Sequence, residues 1–149
     1  MFAPKMIMVP TDFSQLSDDA LRCACDIAGE HGSSVRLFHV VEVIQQCMGD
    51  YCLDGATVAD MQAKVIESAE ALIDGQVKRV VKPEDVAVST LVRQGIPYVE
   101  ILIEQEDRGI DLVVMASLGK TGILSHFGSV TDKVVRGAKC PVLVVKGGQ

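Results

Sequence analysis

Residues Leu112 to Val145 read LVVMASLGKTGILSHFGSVTDKVVRGAKCPVLVV, and this stretch holds a complete strand–loop–helix–strand unit. The apolar run from Leu112 to Met115 is expected as a strand buried on both faces. Gly119, Gly122 and Gly128 punctuate the loop that follows. Ser129 to Arg136 is expected as a short helix stopped by Gly137, and Val142 to Val145 as a second buried strand. A glycine-bearing loop between a strand end and a helix start suits phosphate. Glycine lets the backbone approach an anion closely, and the first helical N–H groups point at it with no internal partner. Nucleotide binding is the first function this pattern raises.

Outward from this unit the same alternation repeats. Met6 to Pro10 is a first apolar strand, followed by Thr11 and Asp12. Ser14 or Ser17 is placed to cap the next helix, with Asp18 and Asp19 complementing its dipole and Gly32 ending it. Val35 to Val41 is a second strand. Val58, Met61, Val65, Ala69, Leu72, Ile73 and Val77 recur as the apolar stripe of a long helix. Val86 to Val92 is a third strand that stops at Gly95, and Ile96 to Arg108 a helix with Pro97 in its first turn, where a missing N–H costs nothing. Glu42 to Thr57 shows no clear element, and a loop of that length inside a compact domain is unusual. The order βαβαβαβαβ, with no linker or repeat, predicts one α/β domain over residues 1–149, built on a mostly parallel sheet covered on both faces.

The 149 residues are 48% apolar and carry a formal net charge of −6. That charge argues against nucleic acid and anionic membrane surfaces, which are held by clustered Lys and Arg. No apolar window reaches the ~18 residues of a membrane span. The opening MFAPKMIMVPTDFS enters a strand pattern directly and lacks the layout of a secretory signal, so a cytoplasmic location is expected. Cys23, Cys25, Cys47, Cys52 and Cys140 are expected to sit reduced there.

In open α/β sheets ligands lie beyond the carboxyl ends of the strands, where strand order reverses. Those ends offer Thr11–Asp12, His39–Val41, Gln94–Gly95 and Ala116–Gly119. Asp12 either accepts from a ligand's amide edge or ribose hydroxyl, or organises the turn before the first helix, as Asp commonly does. Ser129 reads equally as a phosphate contact or an N-cap. Gly119–Lys120–Thr121 imitates the end of a P-loop. That motif needs a glycine five positions before its last one, and position 114 is Val114, inside the strand. The P-loop reading fails.

The segments IMVPTDFS, LFHVVE, QGIP, DLVVMAS and GSVTDKVVRGAKCPVLVV together resemble the universal stress protein family over essentially the whole chain. The resemblance implies a five-stranded parallel sheet of order 3-2-1-4-5, in which the reversal falls between the first and fourth strands. It also implies a homodimer joined through the last strand, Val142, Leu143, Val144 and Val145, and ATP or AMP as a ligand, with Mg2+ or Mn2+ alongside. Carried over by position, it places Pro10, Thr11, Asp12 and Val41 at the adenine and ribose. Met115, Ala116, Ser117 and Gly119 line the ribose and phosphates, and Gly128, Ser129, Val130 and Thr131 hold the phosphate tail. The chain departs twice from the family's binding signature, G-x-x-G-x9-G-[S/T]. Ala116 stands at the first glycine, and eight residues, KTGILSHF, separate Gly119 from Gly128.

Three rival readings stand beside this one. The first is a dimeric interaction protein with a degenerate pocket. The second is an enzyme, yet no Ser/His/Asp arrangement, H-E-x-x-H or paired cysteine motif is present; slow ATP hydrolysis is the most the pattern allows. His39 reads as a satisfied core histidine, and His126 as a loop residue within reach of a phosphate. The third is redox or metal sensing through Cys47 and Cys52, which supply two ligands where a structural zinc needs four.

Overall fold

The computed structural model describes residues 1–82, 86–117 and 128–147. The chain order is β1 (Met6–Pro10), α1 (Gln15–His31), β2 (Ser34–Val41), β3 (Cys47–Met48), β4 (Tyr51–Cys52), α2 (Gly55–Val80), β5 (Val88–Gln94), α3 (Pro97–Asp107), β6 (Leu112–Ala116), α4 (Ser129–Gly137) and β7 (Val142–Val145). Five strands form one parallel sheet in the order β5-β2-β1-β6-β7. Numbered without the two hairpin strands, this is the 3-2-1-4-5 arrangement expected from sequence.

Period-two alternation distributes the strand side chains between two cores. On one face Ile7, Val9, Val35, Leu37, Leu112 and Val114 meet Leu21, Ala24 and Ala28 of α1 and Ile73 of α2. On the other Met8, Phe38, Val40, Val113 and Met115 meet Ile101 of α3 and Val134 of α4. The central strands β1 and β6 are buried on both faces, which is why they read as unbroken apolar runs.

Ser14 is the α1 cap: its side chain accepts the Ser17 N–H at 3.2 Å. Gly32 closes the helix at φ 69°, in the left-handed region where a Cβ is costly. β5 lies two residues later than Val86–Val92, because its register is set by β2: Val35 faces Val88 and Val41 faces Gln94.

The stretch Glu42–Thr57 is structured. β3 and β4 form a two-residue-a-side hairpin turned by Gly49, and α2 begins at Gly55, three residues before Val58, with Asp54 as its cap and the Asp54 Oδ1 accepting the Thr57 N–H at 2.7 Å. That bond holds the Asp54 carboxyl below its ordinary pKa. The expectation of five reduced cysteines is corrected here: Cys47 and Cys52 are joined in a disulfide, while Cys23, Cys25 and Cys140 are in no disulfide. The physical reason is register. Leu53 N–H donates to Gln46 O at the neighbouring rung, leaving Cys47 and Cys52 at a rung without ladder bonds, where strands approach most closely. Their Cα atoms are 4.0 Å apart.

Candidate functional site

β1 lies between β2 and β6, so the order reverses at the β1–β6 boundary, and both strands deliver their carboxyl ends there. The β1–α1 turn, Thr11 to Ser14, forms one side. The end of β6 and the start of α4 form the other.

The β1–α1 turn is fixed by a polar network. Thr11 Oγ1 donates to Gln76 Oε1 at 2.8 Å and accepts the Phe13 N–H at 3.0 Å. Thr11 N–H donates to Phe38 O, and Thr11 O receives His39 Nδ1 at 2.6 Å. Every polar atom of Thr11 is thereby engaged within the fold, and its side chain is buried. Gln76, buried near the carboxyl end of α2, also donates to Asp18 Oδ1 at 2.7 Å and to Ser17 Oγ at 3.2 Å. Arg79 completes the group with bonds to both Asp18 oxygens, at 2.8 and 2.9 Å. Asp12 Oδ1 accepts the Ser14 N–H at 3.0 Å, the turn-organising role weighed from sequence. Phe13, between them, holds φ 67°, the one positive φ at a non-glycine position among the described residues. A bulky residue in that region is strained, and such strain collects at sites of function.

At the opposite side Met115, Ala116 and Ser117 are buried at the end of β6. Ser117 N–H donates to Val145 O, and Ser117 O accepts the Gly128 N–H at 2.8 Å, so the two ends of the glycine loop are pinned together. Thr131 is buried and its hydroxyl donates to Ala116 O at 2.8 Å, binding the first turn of α4 to β6. Gly128 stands at the α4 N-cap and offers no capping side chain; Ser129 is the first helical residue, one place inside the cap position weighed for it. The first-turn N–H groups of Ser129, Val130 and Thr131 have no internal helical acceptor. Gly119, Lys120, Thr121 and His126 lie outside the described residues.

Beside the β1–α1 turn, a cleft of about 310 Å³ opens between the end of β2 and α2. Phe13, His39, Val41, Val65, Ala69 and Leu72 line it. Pro10 is buried at the end of β1, and Val41 is buried with its carbonyl accepting the Gly95 N–H at 2.9 Å. Gly95 adopts φ 155° against the Glu100 side chain, where an added Cβ would meet Glu100 atoms at 2.7 Å. Sequence reasoning placed Val41 here and missed Phe13, Gln76 and the α2 wall. Gln76 carried a signal, a polar residue inside an apolar stripe.

His39 is half-buried, and burial lowers its pKa from the ordinary 6.5, partly opposed by the Thr11 hydrogen bond and the Asp12 charge. The neutral form is favoured on folding, so its contribution to stability is complete above pH 6.5 and is lost as pH falls toward the folded pKa, below 6.5. Thermal melts of wild type and His39→Phe should therefore differ in pH slope only below about pH 6.5. A parallel pair of pH profiles would remove His39 as the titrating group.

No described helix is long and apolar enough to cross a membrane. The universal stress protein family profile matches residues 4–146. Universal stress protein MJ0531 of Methanocaldococcus jannaschii is 36% identical over 143 residues, covering 95% of this chain and 82% of the relative. The solved structure of protein MJ0577 from the same organism superposes with a TM-score of 0.80 at 28% identity, covering 97% of each chain. A universal stress protein from Archaeoglobus fulgidus, solved in complex with dAMP, shares the fold at 17% identity and a TM-score of 0.56, covering 97% of this chain and 98% of its own. With the family profile matching residues 4–146 and a relative 36% identical over 95% of this chain's length, the chain belongs to the universal stress protein family.

Proposed function

We propose that this protein is a regulatory adenine-nucleotide binder, taking ATP or AMP at the β1–β6 switch point and acting as a homodimer. The observation that carries the reading is the juxtaposition of two features at one sheet end. The uncapped α4 start at Gly128–Ser129 lies across the reversal from the strained Asp12–Phe13 turn, with an apolar cleft beside it. The helix start suits phosphate. The cleft, at the lower end of the ~300–1,000 Å³ range of small-molecule sites, suits a base. The dAMP complex of the Archaeoglobus fulgidus protein supports the ligand class. Ala116 in place of glycine adds one methyl at the end of β6 and is accommodated there within the strand. Mg2+ or Mn2+ would enter with the phosphates of ATP.

The homodimer reading rests on β7. Among the described residues it pairs only with β6, forms one edge of the sheet, and leaves Leu143 exposed. An apolar edge strand with open N–H and C=O groups needs a partner, and a second copy of Val142–Val145 supplies one.

The test is calorimetric titration of nucleotide-stripped protein with MgATP and with AMP. Saturation near one nucleotide per chain is expected. Gly128→Val, which puts a branched side chain at the helix start, should weaken binding at least ~10-fold, about 1.4 kcal/mol, while the melting temperature stays close to wild type. Full affinity in that variant would remove the α4 start from the site, and absence of heat with either nucleotide would overturn the reading.

A further inference from the structure

The strap that carries the chain from β2 to α2 holds a reactive pair outside the switch-point site. Cys47 and Cys52 face each other across the β3–β4 hairpin, and both are exposed. Their disulfide joins residues only five apart in sequence. Closing so short a loop removes little freedom from the unfolded chain, so the bond adds little to the global fold. Exposure leaves its sulfurs open to attack by a thiolate, and exposed disulfides form the labile, regulatory class.

The bond decides instead whether the hairpin persists. β3 and β4 contribute two paired residues each, with Leu53 N–H donating to Gln46 O at 2.8 Å on the neighbouring rung. An isolated two-stranded hairpin is marginal in water, and one this short depends on its cross-link. The strap in turn holds α2. Ile44 N–H donates to Gln62 Oε1 at 2.8 Å, and Gln62 Nε2 donates to Glu42 O at 3.3 Å. Gln62 is the first buried residue along α2, and the next is Ala69. Val58 and Ile66 are half-buried, and the rest of residues 55–68 are exposed. The first half of the helix is therefore anchored through one amide side chain, both ends of which the strap engages. Lys64 and Val65, in the same turn as Gln62, line the cleft beside His39.

We infer that Cys47–Cys52 is a reversible redox site, reduced by a dithiol, whose state sets how firmly the first half of α2 is held. A thiolate of the dithiol attacks one sulfur. The S–S bond breaks, a mixed disulfide forms, and the other cysteine leaves as a thiolate that takes up a proton. The second thiol of the reductant, once deprotonated, attacks the reductant sulfur of the mixed disulfide. That step expels the remaining cysteine, which is protonated in turn, and closes the reductant into its own disulfide. Two electrons and two protons pass from the dithiol to the hairpin. A monothiol is the poorer reductant, because the cysteine expelled first stays close and re-forms the native bond before a second molecule arrives. Oxidation is the reverse exchange, with a cyclic disulfide as acceptor. The redox site stands independently of any ligand in the cleft.

The experiment equilibrates the protein, without denaturant, against dithiothreitol and its cyclic oxidised form in varied ratio, then alkylates and reads peptide masses. Cys47 and Cys52 are expected to convert together and reversibly, while alkylation of Cys23, Cys25 and Cys140 does not follow the ratio. Mercaptoethanol at equal thiol concentration should reduce the pair at least ~10-fold more slowly. On reduction, hydrogen exchange at the Ile44 amide and through residues 55–66 should accelerate about tenfold, with β1 and β6 unchanged. The double variant Cys47→Ser, Cys52→Ser should exchange like the reduced protein in either buffer, and the wild-type comparison decides by itself if that variant folds poorly. Reduction only on unfolding would overturn the site, and equal rates with mercaptoethanol would overturn the choice of a dithiol. Unchanged exchange at Ile44 and residues 55–66 would overturn the coupling to α2.

Discussion

Glu104→Leu is expected to cost about 3 kcal/mol of stability. Glu104 projects from α3 toward β2 and β5 and is 1% exposed. Its carboxylate meets Arg36 at 2.6 Å, Arg93 at 2.9 Å and Arg108 at 3.9 Å. Arg93 also lies over the Phe38 ring at 5.3 Å, so its charge is held against the second core. Removing the one carboxylate that three guanidinium groups share leaves positive charges facing one another in a poorly solvated place. The estimate sits at the low end of the range for broken buried pairs because Arg93 and Arg108 are 30% and 58% exposed and regain water. Urea denaturation of the variant measures it. A loss below about 1 kcal/mol would mean that the arginines turn outward freely and the cluster contributes packing alone.

Gln76→Ala is expected to destabilise the fold by about 2–4 kcal/mol and to weaken nucleotide binding as well. The side chain is 1% exposed and joins Thr11, Ser17 and Asp18. Truncation opens a cavity under α2, leaves the Thr11 hydroxyl with Ser17 Oγ at 3.0 Å as its remaining side-chain acceptor, and leaves Asp18 Oδ1 with Arg79 as its remaining donor. The Thr11 hydroxyl also accepts the Phe13 N–H, so its reorientation releases the turn on which the strained Phe13 depends. Hydrogen exchange at the Phe13 amide should accelerate more than exchange in β7. Uniform acceleration would show that Gln76 stabilises the whole molecule without any particular hold on the turn.

The fold was legible because its strands differ in burial as parallel strands should. β1 and β6 read as unbroken apolar runs since both of their faces are covered, and Gly32 marked a real left-handed stop. Local signals failed where pairing across the sheet decided. β5 shifted to Val88–Gln94 to follow β2, and the Cys47–Cys52 bond follows from a hairpin register that spacing alone does not reveal. The site was legible as places along the chain and not as roles. Thr11 and Thr131, named as ligand contacts, turn their hydroxyls to Gln76 and to Ala116 O and brace the site from beneath. Phe13 and the α2 wall were missed because nothing in the residue pattern signals a left-handed phenylalanine or which helix face overhangs a strand end.

The position of β1 also bears on how the polypeptide is made. Ile7 pairs with Val35 on one side and with Leu112 on the other, so the central strand is made before either neighbour and is enclosed only when β6 arrives. While β2 alone covers it, Met6–Pro10 is an apolar edge able to join the same edge of a neighbouring nascent chain. Slow translation between β5 and β6 would lengthen that exposure, and a chaperone that shields short apolar strands would matter most in that interval.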